Sequence, residues 1–159
     1  MIELISLSIA VASAVMAGVF FVFSSFIMTA LGNIKPAEGI RAMQRINIDV
    51  ICWSFSLLFF GIPLASLGLG VFAVWQWPQP ESIYYLMGSI VYLAGCFFVT
   101  VAGNVPLNNA LARVDPDAHN AIEEWRAYLV CWTRWNHVRA AACLITCIVI
   151  VCANYAKWI

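Results

Sequence analysis

An aromatic face that ends in a guanidinium is the feature of this sequence best suited to chemistry. Tyr128 and Trp132 lead toward Arg139 at spacings that place side chains on one side of a helix. The whole face consists of Trp125, Tyr128, Trp132, Trp135 or Asn136, and Arg139. Such a face is suited to flank a flat hydrophobic ligand. Its aromatic residues are also ordinary anchors at a membrane boundary, and Arg139 would equally snorkel to lipid headgroups.

Asparagine amides form a second group of candidate ligand-binding side chains. Asn104 and Asn108 are four residues apart, so on a helix both lie on one face. Asn47 and Asn136 occupy comparable positions near the ends of other apolar segments. Amides that bridge helices in a membrane also act as packing contacts worth about 1 kcal/mol or less each. Ligand binding and helix packing therefore both remain open for these residues.

Two residues are candidates for moving a proton. His137 follows Asn136 directly, and an imidazole near Asp49 would be a suitable proton acceptor because histidine titrates near neutral pH. On a helix, however, His137 points about 100° away from Asn136. That direction favours a histidine that faces the lipid headgroups, and both roles stay open.

The sequence has no recognisable metal or cofactor motif. Its two histidines and six cysteines lack the spacing of a metal site, and no HExxH, glycine-rich phosphate loop or Ser-His-Asp set occurs. We therefore predict neither a metal nor a cofactor. The cysteines are expected to behave as small hydrophobic residues.

Four apolar stretches must position these side chains. Of 159 residues, 64% are hydrophobic and only 10% are charged, which excludes an ordinary water-soluble domain. A helix needs about 20 apolar residues to cross a bilayer, and backbone groups in lipid must be paired internally. The sequence thus predicts one all-α domain over 1–159, a four-helix transmembrane bundle with spans near 4–31, 48–75, 83–108 and 132–156. Basic and acidic residues balance at 8 each, so no attraction to nucleic acid is expected.

The first stretch also has features of a signal peptide, since Ala12, Ser13 and Ala14 resemble a cleavage site. Glu3 stands where a signal peptide has basic residues, and the apolar run continues to Leu31. These features favour a retained transmembrane helix.

Basic residues predict the orientation in the membrane. Lys35, Arg41 and Arg45 lie between the first two spans. Arg113, Arg126 and Arg134 lie between the last two, whereas the segment 76–82 has none. Because short cytoplasmic loops are rich in Lys and Arg, we predict a multi-pass protein of the cell inner membrane with both termini outside. The sequence does not specify an oligomeric state.

Both basic connections are also predicted to contain short amphipathic helices on the cytoplasmic side. Pro36 suits a first helical turn, and Ile40, Met43 and Ile46 then recur at helical spacing. A second pattern of this kind follows Asp115 and leads to Trp132. Counted at about 1.5 Å per residue, polar residues of all four spans then lie roughly 30 Å from the outer ends. We expect them to converge at the cytoplasmic boundary.

Two motifs are similar to those of a known family. The segments 104–108 (NVPLN) and 132–139 (WTRWNHVR), together with GVFF at 18–21 and FSSFIM at 23–28, resemble the anthrone-oxygenase-type family of four-helix membrane proteins. The resemblance extends over nearly the whole chain. It implies oxidation of an anthrone to an anthraquinone by molecular oxygen, without a recognised metal or flavin.

If this activity holds, the shared depth of the candidate residues predicts roles for them. Arg139 would hold the oxyanion of an enolate, and His137 or Asp49 would accept the proton. The amides would orient the substrate and two indoles would stack on it: Asn47, Asn104, Asn108, Asn136, Trp132 and Trp135. The alternative is a non-catalytic membrane module that binds a lipid, a quinone or a protein partner in the same pocket. A transporter is disfavoured, because no charged residue lies near the predicted midplane.

Overall fold

Five helices form the protein in this computed structural model, which describes residues 1–156. They are α1 (Ile2–Gly32), α2 (Pro36–Asp49), α3 (Trp53–Trp75), α4 (Ser82–Leu111) and α5 (Ala121–Ala156). Helices α1, α3, α4 and α5 are long and apolar enough to cross a membrane. The predicted all-α bundle with four membrane-spanning helices is therefore confirmed, and its short amphipathic helix is α2.

Two helix boundaries differ from the prediction. Helix α3 begins at Trp53 and not at residue 48, because Cys52 is extended (φ −89°, ψ 163°) and the chain turns between α2 and α3. Helix α5 begins at Ala121 and not at residue 132. The segment predicted as a second amphipathic helix forms the first turns of α5, since neither glycine nor proline interrupts the chain between residues 121 and 156.

Helix α5 is the element that α1 and α4 pack against, whereas α3 packs against α4 and α1. At Gly95 of α4, an added Cβ would lie 2.6 Å from the Cβ of Ala142 on α5, and at Gly88 it would lie 2.8 Å from Ile150. These glycines let the two backbones approach closely, which is how helices associate in lipid. Packing of α1 and α4 against α5, and of α3 against α4 and α1, creates a core cluster that includes Met16, Tyr92 and Ile150.

The amphipathic helix α2 packs across one end of the bundle. Its buried residues Ile40 and Met43 belong to a second core cluster with Trp125, Tyr128 and Trp132 of α5. The side chain of Gln44 donates hydrogen bonds to the carbonyl oxygens of Leu111 (2.9 Å) and Val114 (3.0 Å). Both carbonyls lie at or just after the end of α4, so these bonds attach α2 to that end of the bundle.

Wide, π-helical turns interrupt two of the membrane helices. They comprise Phe23–Ile27 in α1, and Leu93–Phe98 and Thr100–Asn104 in α4. The last of these precedes Pro106, whose ring would clash with the carbonyl of residue 102 in a regular helix, so a wider turn relieves that contact. All three lie in the part of the bundle that contains the candidate site.

Candidate functional site

A cavity of about 220 Å³ lies between the membrane helices near α2. Its wall is mainly apolar and rich in aromatic side chains: Phe20, Phe23, Phe55, Phe59, Phe60 and Trp132. Ile51 and Phe60 belong to this wall and are exposed on the outside of the bundle, so the cavity borders the surface that faces lipid. A hydrophobic molecule dissolved in the bilayer would therefore meet the cavity directly.

Arg139 is the charged residue of the cavity wall. Its side chain is 5% exposed, and the guanidinium lies 4.2 Å from the ring centre of Phe20 and 5.2 Å from that of Trp132. It donates to Asn136 Oδ1 (2.6 Å) and to Thr100 Oγ1 (3.4 Å). Among the described residues its Nε has no hydrogen-bond partner, and none of their ion pairs includes Arg139. The structure thus buries a cation without a carboxylate.

Asn136 binds the guanidinium of Arg139 on the side away from the cavity. Its Oδ1 accepts the short hydrogen bond from Arg139, and its Nδ2 donates to Phe20 O (2.6 Å) and to Ser24 Oγ (2.6 Å). Asn136 is fully buried and is not part of the cavity wall. It positions Arg139 and ties α5 to the wide turn of α1.

Asn108 lines the cavity with an orientation imposed by two donors. Its Oδ1 accepts hydrogen bonds from the Tyr128 hydroxyl (2.9 Å) and from Trp132 Nε1 (2.8 Å). Because a carboxamide has its acceptor and its donors on opposite sides, these bonds leave the Asn108 amide nitrogen free to donate. The same bonds fix the indole of Trp132 beside Arg139.

Asn47 and Asn104 occupy different environments. Asn47 of α2 lines the cavity, interacts with the Tyr128 phenol, and has a buried Nδ2 without a hydrogen bond of normal geometry to any described residue. Asn104 is 1% exposed, donates to Trp132 O (3.2 Å) and does not line the cavity. Asn47 therefore contributes an unpaired donor beside the cavity, whereas Asn104 links α4 to α5.

The structure does not bring His137, Asp49 or Trp135 to the cavity. Asp49 is exposed and pairs with Arg45 Nε at 2.7 Å. His137 is exposed beside α1, in a separate groove. Trp135 is 44% exposed and covers Gly103 on the outside of α4. All three lie within one or two residues of Asn47 or Asn136 in the sequence. Successive side chains of a helix point in different directions, so these three point away from the cavity.

Sequence reasoning missed Phe20 and Thr100, which both contact Arg139. Thr100 lies four residues before Asn104, so the same spacing that selected Asn104 and Asn108 would have included it. Nothing in the sequence distinguishes Phe20 from the other phenylalanines of the first span. Its role follows only from the packing of α1 against α5.

Three side chains of the cavity wall have hydrogen-bond donors without a described acceptor. They are the guanidinium of Arg139, through its Nε, and the amides of Asn47 and Asn108; Ser56 adds a hydroxyl, and the described wall contains no carboxylate or imidazole. An apolar cavity with such donors suits a hydrophobic molecule that carries one anionic oxygen. In the described residues no group of three or more histidine, cysteine or acidic side chains is placed to hold a metal ion.

A family model described as anthrone oxygenase matches residues 53–149, more than half of the chain. The matched region extends from the start of α3 into α5 and contains Asn104, Asn108 and Arg139. No curated protein and no solved structure matches the chain.

Proposed function

The chain belongs to the anthrone oxygenase family, and from this we propose that it oxidises a flat, hydrophobic, anthrone-like ketone to a quinone with molecular oxygen. We further propose that the reaction occurs in the cavity beside Arg139. The observation that carries this proposal is the buried guanidinium, which has no anionic partner among the described residues.

A buried cation without a counter-ion favours an anionic ligand. Burial of a lone charge costs free energy, and an anion that enters the cavity recovers part of that cost. A ketone becomes anionic when it loses a proton from the carbon that is conjugated with its carbonyl group. Arg139 would stabilise the enolate more than the neutral ketone, which is the condition for catalysis.

The aromatic wall supports a flat substrate. The ring centres of Phe20 and Trp132 lie 4.2 and 5.2 Å from the guanidinium carbon of Arg139. The rings of Phe55 and Phe59, which also line the cavity, stack on each other with their centres 5.8 Å apart. A polycyclic ketone would bury its rings against these side chains and direct its oxygen to Arg139. The amide nitrogens of Asn47 and Asn108 would then donate to the same oxygen.

The proposed reaction needs only the ketone and O2. The CH2 group loses a proton, and the resulting carbanion carbon forms a bond to O2, which becomes a peroxide anion and takes up one proton. Loss of the second C–H proton breaks the O–O bond, forms the second C=O group and releases hydroxide. The hydroxide takes up the remaining proton, so the sum is CH2 plus O2 giving C=O plus H2O.

Proton removal is assigned to solvent, because the described cavity wall contains no carboxylate or imidazole. Stabilisation of the enolate by Arg139 makes the C–H group a stronger acid, and a weaker base then suffices. The sequence-based assignment to His137 or Asp49 would require a proton to travel beyond the cavity wall.

The proposed location is the cytoplasmic boundary of the cell inner membrane, with both termini outside. Its support is the pattern of basic residues, since Lys35, Arg41, Arg45, Arg113 and Arg126 all lie at the end of the bundle that contains α2. A substrate dissolved in the bilayer would reach the cavity without crossing water.

The test is oxidation of an anthrone by the purified protein in lipid nanodiscs. We expect one quinone formed per O2 consumed, measured by absorbance and by an oxygen electrode, with protein-free nanodiscs correcting for spontaneous oxidation. Arg139→Met should lower turnover roughly 100-fold or more, as for loss of an oxyanion-binding donor. Arg139→Met should still fold, because it leaves no buried carboxylate unpaired and removes the donor of only two neutral acceptors, Asn136 Oδ1 and Thr100 Oγ1.

Arg126→Met is the matched control, since Arg126 is exposed on the same helix. Unchanged turnover in Arg139→Met would contradict the role of the guanidinium. Retention of an aromatic ligand without turnover would instead support the second candidate, a non-catalytic membrane module that binds a quinone or a lipid. The observation that favours this candidate is the described cavity wall, which has no proton acceptor.

A further inference from the structure

A second recess, separate from the cavity, lies on the outside of the bundle between α1 and α5. We name it the α1/α5 groove. One side is formed by α1 and the residue after it, between Ser24 and Asn33, and the other by α5 between Leu129 and His137. The groove encloses about 380 Å³ and is open to the surroundings. Gly32 lets α1 approach Leu129 of α5 closely at this point, because a Cβ there would lie only 3.3 Å from that side chain.

The polar side chains of the α1/α5 groove are donors with no acidic neighbour. Arg134 and His137 are three residues apart on one face of α5, and no aspartate or glutamate lines the groove. In residues 1–156 the ion pairs are Lys35–Glu38, Arg41–Asp117 and Arg45–Asp49, so the charge of Arg134 is not neutralised by any of them.

Hydroxyl groups add further donors on the same surface. Ser24 Oγ accepts a hydrogen bond from Asn136 Nδ2 at 2.6 Å, which leaves its own proton free to be donated. Thr29 and Thr133 line the groove beside it. One guanidinium, one imidazole and three hydroxyls therefore surround a space without a fixed negative charge.

The groove lies at the level of lipid headgroups. Helix α1 ends at Gly32, within the groove, and Arg134 is five residues before Arg139 on α5, about 7.5 Å farther toward the same end. Phe21 and Phe26 are 64% and 59% exposed on α1 in the direction of the bilayer. A molecule in the groove would thus have its polar part beside Arg134 and its apolar part against Met28, Leu129 and Val130, which line the groove.

We propose that the α1/α5 groove binds the phosphate group of an anionic phospholipid. The occupant follows from the charge and from the setting: phosphate matches a guanidinium with neighbouring hydroxyl donors, and the apolar flank matches an acyl chain. The groove is also connected to the cavity by two hydrogen bonds, one between Ser24 and Asn136 and one between Asn136 and Arg139. The assignment does not depend on the oxidation chemistry.

Spin-labelled lipids test the proposal on the full-length protein. The protein is reconstituted in phosphatidylcholine vesicles with trace spin-labelled phosphatidylglycerol or phosphatidylcholine, and electron paramagnetic resonance gives the relative association constant of the two. We expect phosphatidylglycerol to be preferred. Arg134→Gln should lower that preference roughly fivefold, as for one basic residue near an anionic lipid, and Arg134→Lys should retain most of it.

Arg113→Gln is the matched control, because it removes the same charge from an exposed site at the same end of the bundle, outside the groove. An equal loss in Arg113→Gln, or no loss in Arg134→Gln, would overturn the proposal in favour of general surface charge. Loss of the preference on adding inorganic phosphate at constant ionic strength would also overturn it, since the groove would then bind the free anion. Circular dichroism checks that each variant folds.

Discussion

At Arg139, an amide, a hydroxyl and two aromatic rings occupy the positions that a carboxylate takes beside most buried arginines. Asn136 and Thr100 orient the guanidinium, and Phe20 and Trp132 screen it from lipid. Arrangements of this kind keep a cation in place without neutralising it. Free charge at a fixed point is what an enolate-binding site requires.

Asn108 is expected to contribute to stability as well as to binding. In Asn108→Leu, the Tyr128 hydroxyl and Trp132 Nε1 would lose their shared acceptor. We expect a loss of about 1–2 kcal/mol in the free energy of unfolding, since interhelical hydrogen bonds in membranes are worth less than the upper range in water. Detergent-induced unfolding in mixed micelles measures it. Asn109→Leu is the control, because Asn109 is the exposed neighbour, and equal losses in both variants would contradict the prediction.

His137 and Asp49 give a test that separates the sequence-based assignment from the geometry. Both are exposed outside the cavity wall, so His137→Gln and Asp49→Asn should retain anthrone turnover within about twofold, because neither can reach a bound substrate directly. The quinone assay measures this at saturating substrate. A loss comparable to that of Arg139→Met would restore the proton-accepting role that the sequence predicted for them.

Spacing within one helix predicted some of the site and could not predict the rest. It grouped Asn104 with Asn108 and Asn136 with Arg139, and the structure places all four in or directly behind the cavity wall. It also grouped Trp135 with Trp132, although Trp135 covers Gly103 on the outside. Which face of a helix meets which neighbour depends on packing between helices, and a single sequence does not contain that information.

Among the elements, α5 departs most from the sequence-based prediction. Hydropathy separates its polar start from its apolar remainder, so the sequence indicated two helices, whereas the chain forms one helix of 36 residues. Its length is about 54 Å, well beyond the hydrocarbon thickness. Hydropathy reports the surroundings of a helix, and helix ends depend on glycine, proline and capping residues.

Close contact between α4 and α5 leads to a prediction about glycine. In Gly95→Ala, the new methyl group would lie 2.6 Å from the Cβ of Ala142, so the helices must separate. We expect a cost of about 1–3 kcal/mol in unfolding free energy, as for other overpacked sites. Adding Ala142→Gly should recover most of it in the same unfolding assay.

Gly61→Ala on α3 is the matched control for this contact, because nothing lies within 4 Å of the position its Cβ would take. Alanine has a higher helix propensity than glycine, so this variant should be neutral or stabilised. Destabilisation of Gly61→Ala equal to that of Gly95→Ala would show that helix packing is not the cause.

For the whole molecule, four helices long and apolar enough to cross a membrane place the start of α1 and the end of α5 at one end of the bundle and α2 at the other. Composition and hydropathy predicted this bundle well, because lipid as a solvent leaves few alternatives for an apolar chain. The cavity could not be predicted at this scale, since it arises where α3 meets the wide turns of α1 and α4.

The proposed orientation leads to a direct prediction. Alkaline phosphatase fused to the C terminus should be active in a bacterial host, and the same enzyme fused after Arg113 should be inactive, because basic segments stay in the cytoplasm. Enzyme activity of whole cells measures this, with immunoblots to confirm equal expression. The reverse pattern of activity would contradict an orientation with both termini outside.

Because of the wide turns, the shape of the site depends on how many residues these segments contain. Each holds about one residue more than an α-helical turn. An in-frame deletion of a single codon within 100–104 would still encode an apolar, helical span, and its hydropathy profile would barely change. The wide turn would then close to a regular α-helical turn, in which the ring of Pro106 would meet the carbonyl four residues before it. The cavity wall at Thr100 would lose the turn that shapes it, so a length change invisible to hydropathy would alter the site.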